Sequence, residues 1–164
     1  MATYRNAQSD TERIQALNRI ASDLGKAWGI DNVTVKIVPP NEEIGNVIAY
    51  TPNTLENGFF SSKFSTDYVI CIPENSEILN QVMWTGSVVH VFTHEITHMR
   101  QTGIMNDQLG GQKSDLGYLF VANSNMYVNT KEVYGLYASQ PLEYHTNAVS
   151  DQTLKNLASK GVLK

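Results

Sequence analysis

Cysteine is almost missing: Cys71 is the one thiol in 164 residues. A lone thiol excludes an internal disulfide and a cysteine-rich zinc finger. Charge is scarce too, with 17% Asp, Glu, Lys and Arg against about a quarter in an ordinary soluble domain. The balance is −4, so a nucleic-acid partner is not expected. No apolar run is long enough to span a bilayer, so no membrane span is expected. The opening stretch MATYRNAQSDTER lacks the apolar core of a secretory signal. That leaves a cytoplasmic protein, one exported without a cleaved signal, or one domain of a larger protein. Internal repeats and low-complexity segments are absent as well. At 41% apolar residues, the length suits one globular domain over residues 1–164 and is short for two.

Against these absences stands one informative stretch, residues 86–102, GSVVHVFTHEITHMRQT. It contains His94-Glu95-Ile96-Thr97-His98, an H-E-x-x-H motif. On a helix the two histidines sit at i and i+4, so one metal ion can be held from successive turns. Placed at 100° steps, Val88, Val89, Phe92, Ile96 and Met99 fall on one side of the helix. His90, His94, His98 and Gln101 fall on the other. Two core histidines would lie in the apolar stripe, and a solvated face would carry Lys and Glu. A metal site fits the pattern better than either. His90 and His94 also form an i, i+4 pair, but one ion cannot serve both pairs, since three turns span about 12 Å. Glu95 decides between them: it follows the first histidine of the 94/98 pair, whereas Val91 holds that place in the other. His90 is left as a cleft-wall or structural residue.

The remaining chain frames this helix. Residues 9–28 form an amphipathic helix, with Ser9 and Glu12 matching a capping box and Gly29 ending it. Residues 33–38, 46–51 and 68–72 are strand candidates, separated by Pro39-Pro40 and by turns at Thr51-Pro52 and Asn57-Gly58; Phe59 and Phe60 follow the second turn. Residues 76–83 suit a short helix, and Gly103 closes the central one. Residues 104–117 read as a mobile glycine-rich loop, residues 118–128 are of mixed character, and residues 131–137 suit another short helix. Pro141 opens a helix with Glu143 in its first turn and Asn147 one turn on, and a separate peripheral helix covers residues 151–159. The fold class is α+β: a small, mostly antiparallel sheet against the motif helix, with a helical C-terminal part.

A catalytic zinc needs three protein ligands and an open position. His94 and His98 supply two. Glu143 is the first choice for the third, with the Asn147 amide placed to orient a ligating histidine. A first-turn acid is also favoured by the helix dipole alone. His145 is the second choice. Cys71 is the third, though its mid-strand apolar setting favours packing.

His94-Glu95-x-x-His98 followed by Gln101, then Pro141-x-Glu143 with Ala148 after it, resembles the small bacterial zincin metallopeptidases of the gluzincin type. The two stretches cover about a tenth of the chain. The resemblance implies a zincin-like α+β fold, Zn2+ on His94, His98 and Glu143, and a peptide or protein substrate along the edge strand. It implies peptide-bond hydrolysis by a metal-activated water, with Glu95 as the general base. Many domains of this kind act as bacterial toxins or effectors. Gluzincins often carry an aspartate where this chain has Asn147. Tyr134, Tyr137, Tyr144 and His145 are candidates for stabilising the oxyanion. Competing readings are a deformylase-like amidase using Cys71, whose Val-Ile-Cys-Ile-Pro context departs from that family's pattern, an inactive zincin-like binding module, and a chance motif in a structural protein.

Overall fold

Ser9 starts the first long helix, its hydroxyl oxygen accepting from the Glu12 backbone N–H at 3.2 Å. The Glu12 carboxylate reaches back to the Gln8 N–H at 2.8 Å. Together they satisfy two donors that a helix start otherwise leaves unpaired. In the computed structural model, which describes residues 2–40, 47–52, 68–80, 83–105, 114–124, 126–127 and 134–163, this helix (α2) is Asp10–Ala27. A four-residue helix, Ala2–Arg5 (α1), precedes it. Gly29, at φ 75°, turns the chain out of α2. Gly25 lets the helix lie against the following segment, since a Cβ there would sit 2.4 Å from Val33 Cγ2.

Two strands follow, β1 at Thr34–Val38 and β2 at Val69–Pro73. They pair in parallel, with Val35 opposite Ile70 and Ile37 opposite Ile72. This corrects the mostly antiparallel, zincin-like sheet expected from the sequence; the α+β class itself holds. A parallel pair needs a long crossover between its strands, and the thirty residues from 39 to 68 supply it. Among the described residues the antiparallel element is a single bridge: Tyr50 and Cys71 exchange both backbone hydrogen bonds, at 2.9 and 2.7 Å. β2 thus has β1 on one side and Tyr50 on the other. Of the strand expected at 46–51, residue 46 lies outside the described residues, as do the Asn57-Gly58 turn and the two phenylalanines after it.

The motif helix, α3, is Thr85–Met105, running past Gly103. Before it, the helix expected at 76–83 is a 3-10 turn, Glu77–Asn80, with residues 81–82 outside the described set. Val88, Val89, Phe92 and Ile96 of α3 join Leu17, Ile20 and Leu24 of α2 and Ile70 and Ile72 of β2 in the main core. Each such side chain contributes about 1.5–3 kcal/mol on full burial, which makes α3 the fixed floor of the molecule.

The other flank of α3 is also covered. α4 (Asp115–Ser124) and α6 (Pro141–Ser159) pack on it and α5 (Tyr134–Ser139) packs on α6, with Met105, Phe120 and Leu142 forming a second apolar cluster. Of the loop expected at 104–117, residues 106–113 lie outside the described set, and its ends belong to α3 and α4. α6 is one continuous helix where the sequence suggested two. No glycine or proline interrupts it after Pro141, and the Ser150 hydroxyl bonds back to the Thr146 carbonyl at 2.8 Å. Among the described residues the architecture is mixed helix and strand, mostly helical, and no helix is long and apolar enough to cross a membrane.

Candidate metal centre

α3 presents His94 and His98 on successive turns, their rings 4.7 Å apart and nearly perpendicular. α6 crosses that face and brings in Glu143 from its first turn, fully buried. Pro141 occupies the opening position of α6, and its N-cap residue Gln140 makes no side-chain cap. The first turn is held from α4 instead: the Leu142 N–H donates to Asn123 Oδ1 at 2.9 Å. Glu143 therefore enters the site on a braced backbone, at the end of the helix where a negative charge is favoured.

Three ligand-type side chains converge, His94, His98 and Glu143, with one ligand atom from each within 4.8 Å of the others. His94 Nε2 lies 3.2 Å from Glu143 Oε2, His98 Nε2 lies 3.2 Å from Glu143 Oε1, and the two Nε2 atoms are 3.0 Å apart. Tetrahedral zinc with bonds of about 2.0–2.2 Å sets its ligand atoms about 3.3 Å apart. The observed spacings, with each histidine facing a different oxygen of the carboxylate, are of that order, and two imidazole nitrogens with a carboxylate are a recognised donor set for such an ion. The three side chains could together hold a metal ion.

Glu143 is braced on its far side as well. The Tyr127 hydroxyl donates to Oε1 at 2.5 Å and the Tyr137 hydroxyl to Oε2 at 2.8 Å. Burial alone would push the Glu143 carboxyl up; the His98 and His94 imidazoles outweigh it and hold the group well below its usual range. Burial, reinforced by the Glu143 charge, pushes both phenols far upward, so both remain O–H donors.

Glu95 is buried on the neighbouring side of α3. Its carboxylate is hydrogen-bonded by the backbone and side chain of Thr51, on the segment that bridges to β2. Desolvation raises its carboxyl to about 7, with Glu143 adding to the rise and His94 and Thr51 opposing it. Glu95 is close enough to Cys71 and Tyr137 to push both upward in turn. Glu95 is thus tied to Thr51 by hydrogen bonds and feels the charge of Glu143.

The other sequence candidates are dispersed. Cys71 is buried in β2, bridged to Tyr50, and is not part of the cluster. His145 is half-buried against Phe120, its Nδ1 3.1 Å from Gln101 Nε2, and burial together with Arg100 and His98 lowers its pKa. Tyr134 and Tyr144 are exposed. His90 pairs with Asp151 at 3.0 Å. The His98 ring Nδ1 meets Gln101 Oε1 at 2.9 Å, the kind of contact the sequence assigned to Asn147. Tyr127 and Thr51 escaped sequence reading because neither carries a motif; only the fold brings them to the carboxylates.

No protein-family model, curated protein or solved structure matches this chain.

Proposed function

We propose that this chain is a zinc-dependent peptidase of the small gluzincin kind, acting on peptide or protein substrates. The observation that carries this reading is the closure of His94, His98 and Glu143 on one point at ligand-to-ligand spacing. A zinc ion held by these three side chains supplies Lewis-acid polarisation and a lowered pKa for water. The chain's own residues divide the remaining work. His94 and His98 hold their Nε2 atoms toward the centre from a helix fixed in the main core. Tyr127 and Tyr137 keep the Glu143 carboxylate from turning away. Glu95, next to His94 and held by Thr51, accepts the proton of the attacking water and returns it to the leaving amine. An extended substrate runs beside residues 47–52, where Thr51 meets Glu95 at the edge of the sheet.

Retention of a buried acid beside the centre separates this reading from a metal-binding scaffold, since holding an ion does not require Glu95. The test compares zinc-loaded wild type and Glu95→Gln on a denatured protein and on a mixed peptide library, with cleavage read by mass spectrometry. The wild type should cut, and the variant should bind zinc equally but cut about 10²–10⁴-fold more slowly. A variant as active as wild type removes Glu95 from the base role. Zinc-loaded wild type that cuts neither substrate overturns the peptidase reading in favour of a binding module.

A further inference from the structure

Gln101 lies on α3 one turn beyond His98 and is 1% exposed. Its amide meets three polar atoms. Oε1 is 2.9 Å from His98 Nδ1, and Nε2 is 2.9 Å from the Leu142 carbonyl oxygen and 3.1 Å from His145 Nδ1. The Leu142 carbonyl can only accept a hydrogen bond. The amide nitrogen must therefore face Leu142, which turns the amide oxygen toward His98. An amide oxygen also only accepts, so the hydrogen between them belongs to His98 Nδ1. The nitrogen left over on that ring is Nε2, the atom facing His94 and Glu143.

We propose that Gln101 is a positioning residue: it locks His98 in the Nδ1–H tautomer, so that the Nε2 lone pair points into the centre, and through the Leu142 carbonyl it fastens the ligand-bearing turn of α6 to α3. Its purpose rests on the metal-site reading; its hydrogen-bond logic does not. A histidine side chain without partners favours the hydrogen on Nε2, the wrong nitrogen for this site. Leu142 immediately precedes Glu143, and its N–H is already held by Asn123. One amide thus aims one ligand and braces the backbone of another on a different helix. An outer partner of this kind sets both the orientation and the basicity of a ligating imidazole.

The decisive measurement is the imidazole 15N chemical shift pattern of the metal-free full chain in alkaline solution, which reports the nitrogen that carries the hydrogen. Gln101 Oε1 and the Glu143 carboxylate, 2.9 Å from Nδ1 and 3.2 Å from Nε2, compete for the ring hydrogen, and the lock requires that His98 show a protonated Nδ1 and a bare Nε2. The opposite pattern overturns the lock, and this readout needs neither a variant nor a metal. Gln101→Met removes all three hydrogen bonds, to His98, Leu142 and His145, at similar volume. It should move His98 toward the Nε2–H form and weaken zinc, titrated against a chromophoric chelator, by about 10–100-fold. Gln101→Glu keeps an acceptor for Nδ1–H but loses the donor to Leu142, so it should preserve the wild-type tautomer. A purely structural role would lower stability while leaving the nitrogen pattern of the folded protein unchanged. Gln101→Met with wild-type tautomer and wild-type zinc affinity overturns the proposal. Wild type that binds no zinc overturns the metal reading alone, because the tautomer is read without it.

Discussion

His90 reaches Asp151 at 3.0 Å, joining α3 to the middle of α6. The contact accounts for a histidine that repeats the spacing of the motif without entering the cluster. Its partner lies on α6, as Glu143 does, but two turns further along that helix, so the two helices meet through successive His–carboxylate pairs. Only the pairs at His94 and His98 close on a third group.

That arrangement sets the expectation for His90→Ala. The pair is partly exposed, so its loss should cost at most about 1 kcal/mol. Zinc stoichiometry and affinity should match wild type. Calorimetric titration showing the loss of one zinc equivalent would place His90 in the centre and displace the assignment made here.

The metal itself should be visible in bulk. Elemental analysis after zinc loading should give about one zinc per chain, as a three-ligand site with an open position requires. Chelation should lower the unfolding temperature, because ligand binding to the folded state adds about 2.7 kcal/mol at a hundredfold excess over Kd. A chelated sample with an unchanged Tm and no zinc in the loaded protein would remove the metal from the account.

The tyrosines make a finer prediction. Tyr127→Phe deletes the donor to Glu143 Oε1 and leaves the ring in place. With Tyr137 still bonded to Oε2, the carboxylate keeps one of its two braces. Zinc affinity should fall by about tenfold, the lower end of the range for outer-shell partners, and the double Phe variant should fall further. Equal affinities in wild type and the double variant would show that the carboxylate needs no brace.

How much of this was legible in the sequence differs by residue. Val88, Val89, Phe92 and Ile96 declare one face of α3 by spacing alone, and they are in the core. Ser9 and Glu12 announce the start of α2, and the cap forms there. His94 and His98 are legible as a pair, and Glu143 as the first of three candidates ahead of His145 and Cys71; the fold brings His94, His98 and Glu143 within reach of one another. Strand direction was not legible, because the alternation in 33–38 and the continuous apolar run in 68–72 record burial and say nothing of pairing. Nor were Tyr127, Thr51 and Asn123, whose contacts depend on how distant segments cross. Gln101 was visible as a polar position on the histidine side of the helix, but its task is defined by a carbonyl on α6 that no spacing reveals.

The last prediction concerns Glu143 as the third ligand. A fully buried carboxylate is costly unless paired and hydrogen-bonded. Here each oxygen has one tyrosine donor and one histidine nitrogen. The tyrosines satisfy it from one side, leaving the other side open to a cation shared with the imidazoles. Glu143→Ala removes both the charge and the ligand atom, so zinc affinity should fall well beyond the roughly 10–100-fold loss of an outer-shell contact. The main core shares no residue with Glu143, so α2, the sheet and α3 should remain folded by circular dichroism. Two phenols would lose their acceptor, at about 1–3 kcal/mol for each one left unsatisfied. Glu143→Gln separates these effects, because the amide retains an acceptor oxygen for one tyrosine while giving up the anionic ligand. It should be closer to wild type in stability yet nearly as poor as Glu143→Ala in zinc binding. His145→Ala should keep most of the metal, since His145 turns its Nδ1 to Gln101. If His145→Ala loses zinc while Glu143→Gln retains wild-type affinity, the ion is held by the imidazole of α6 and the carboxylate is only its neighbour.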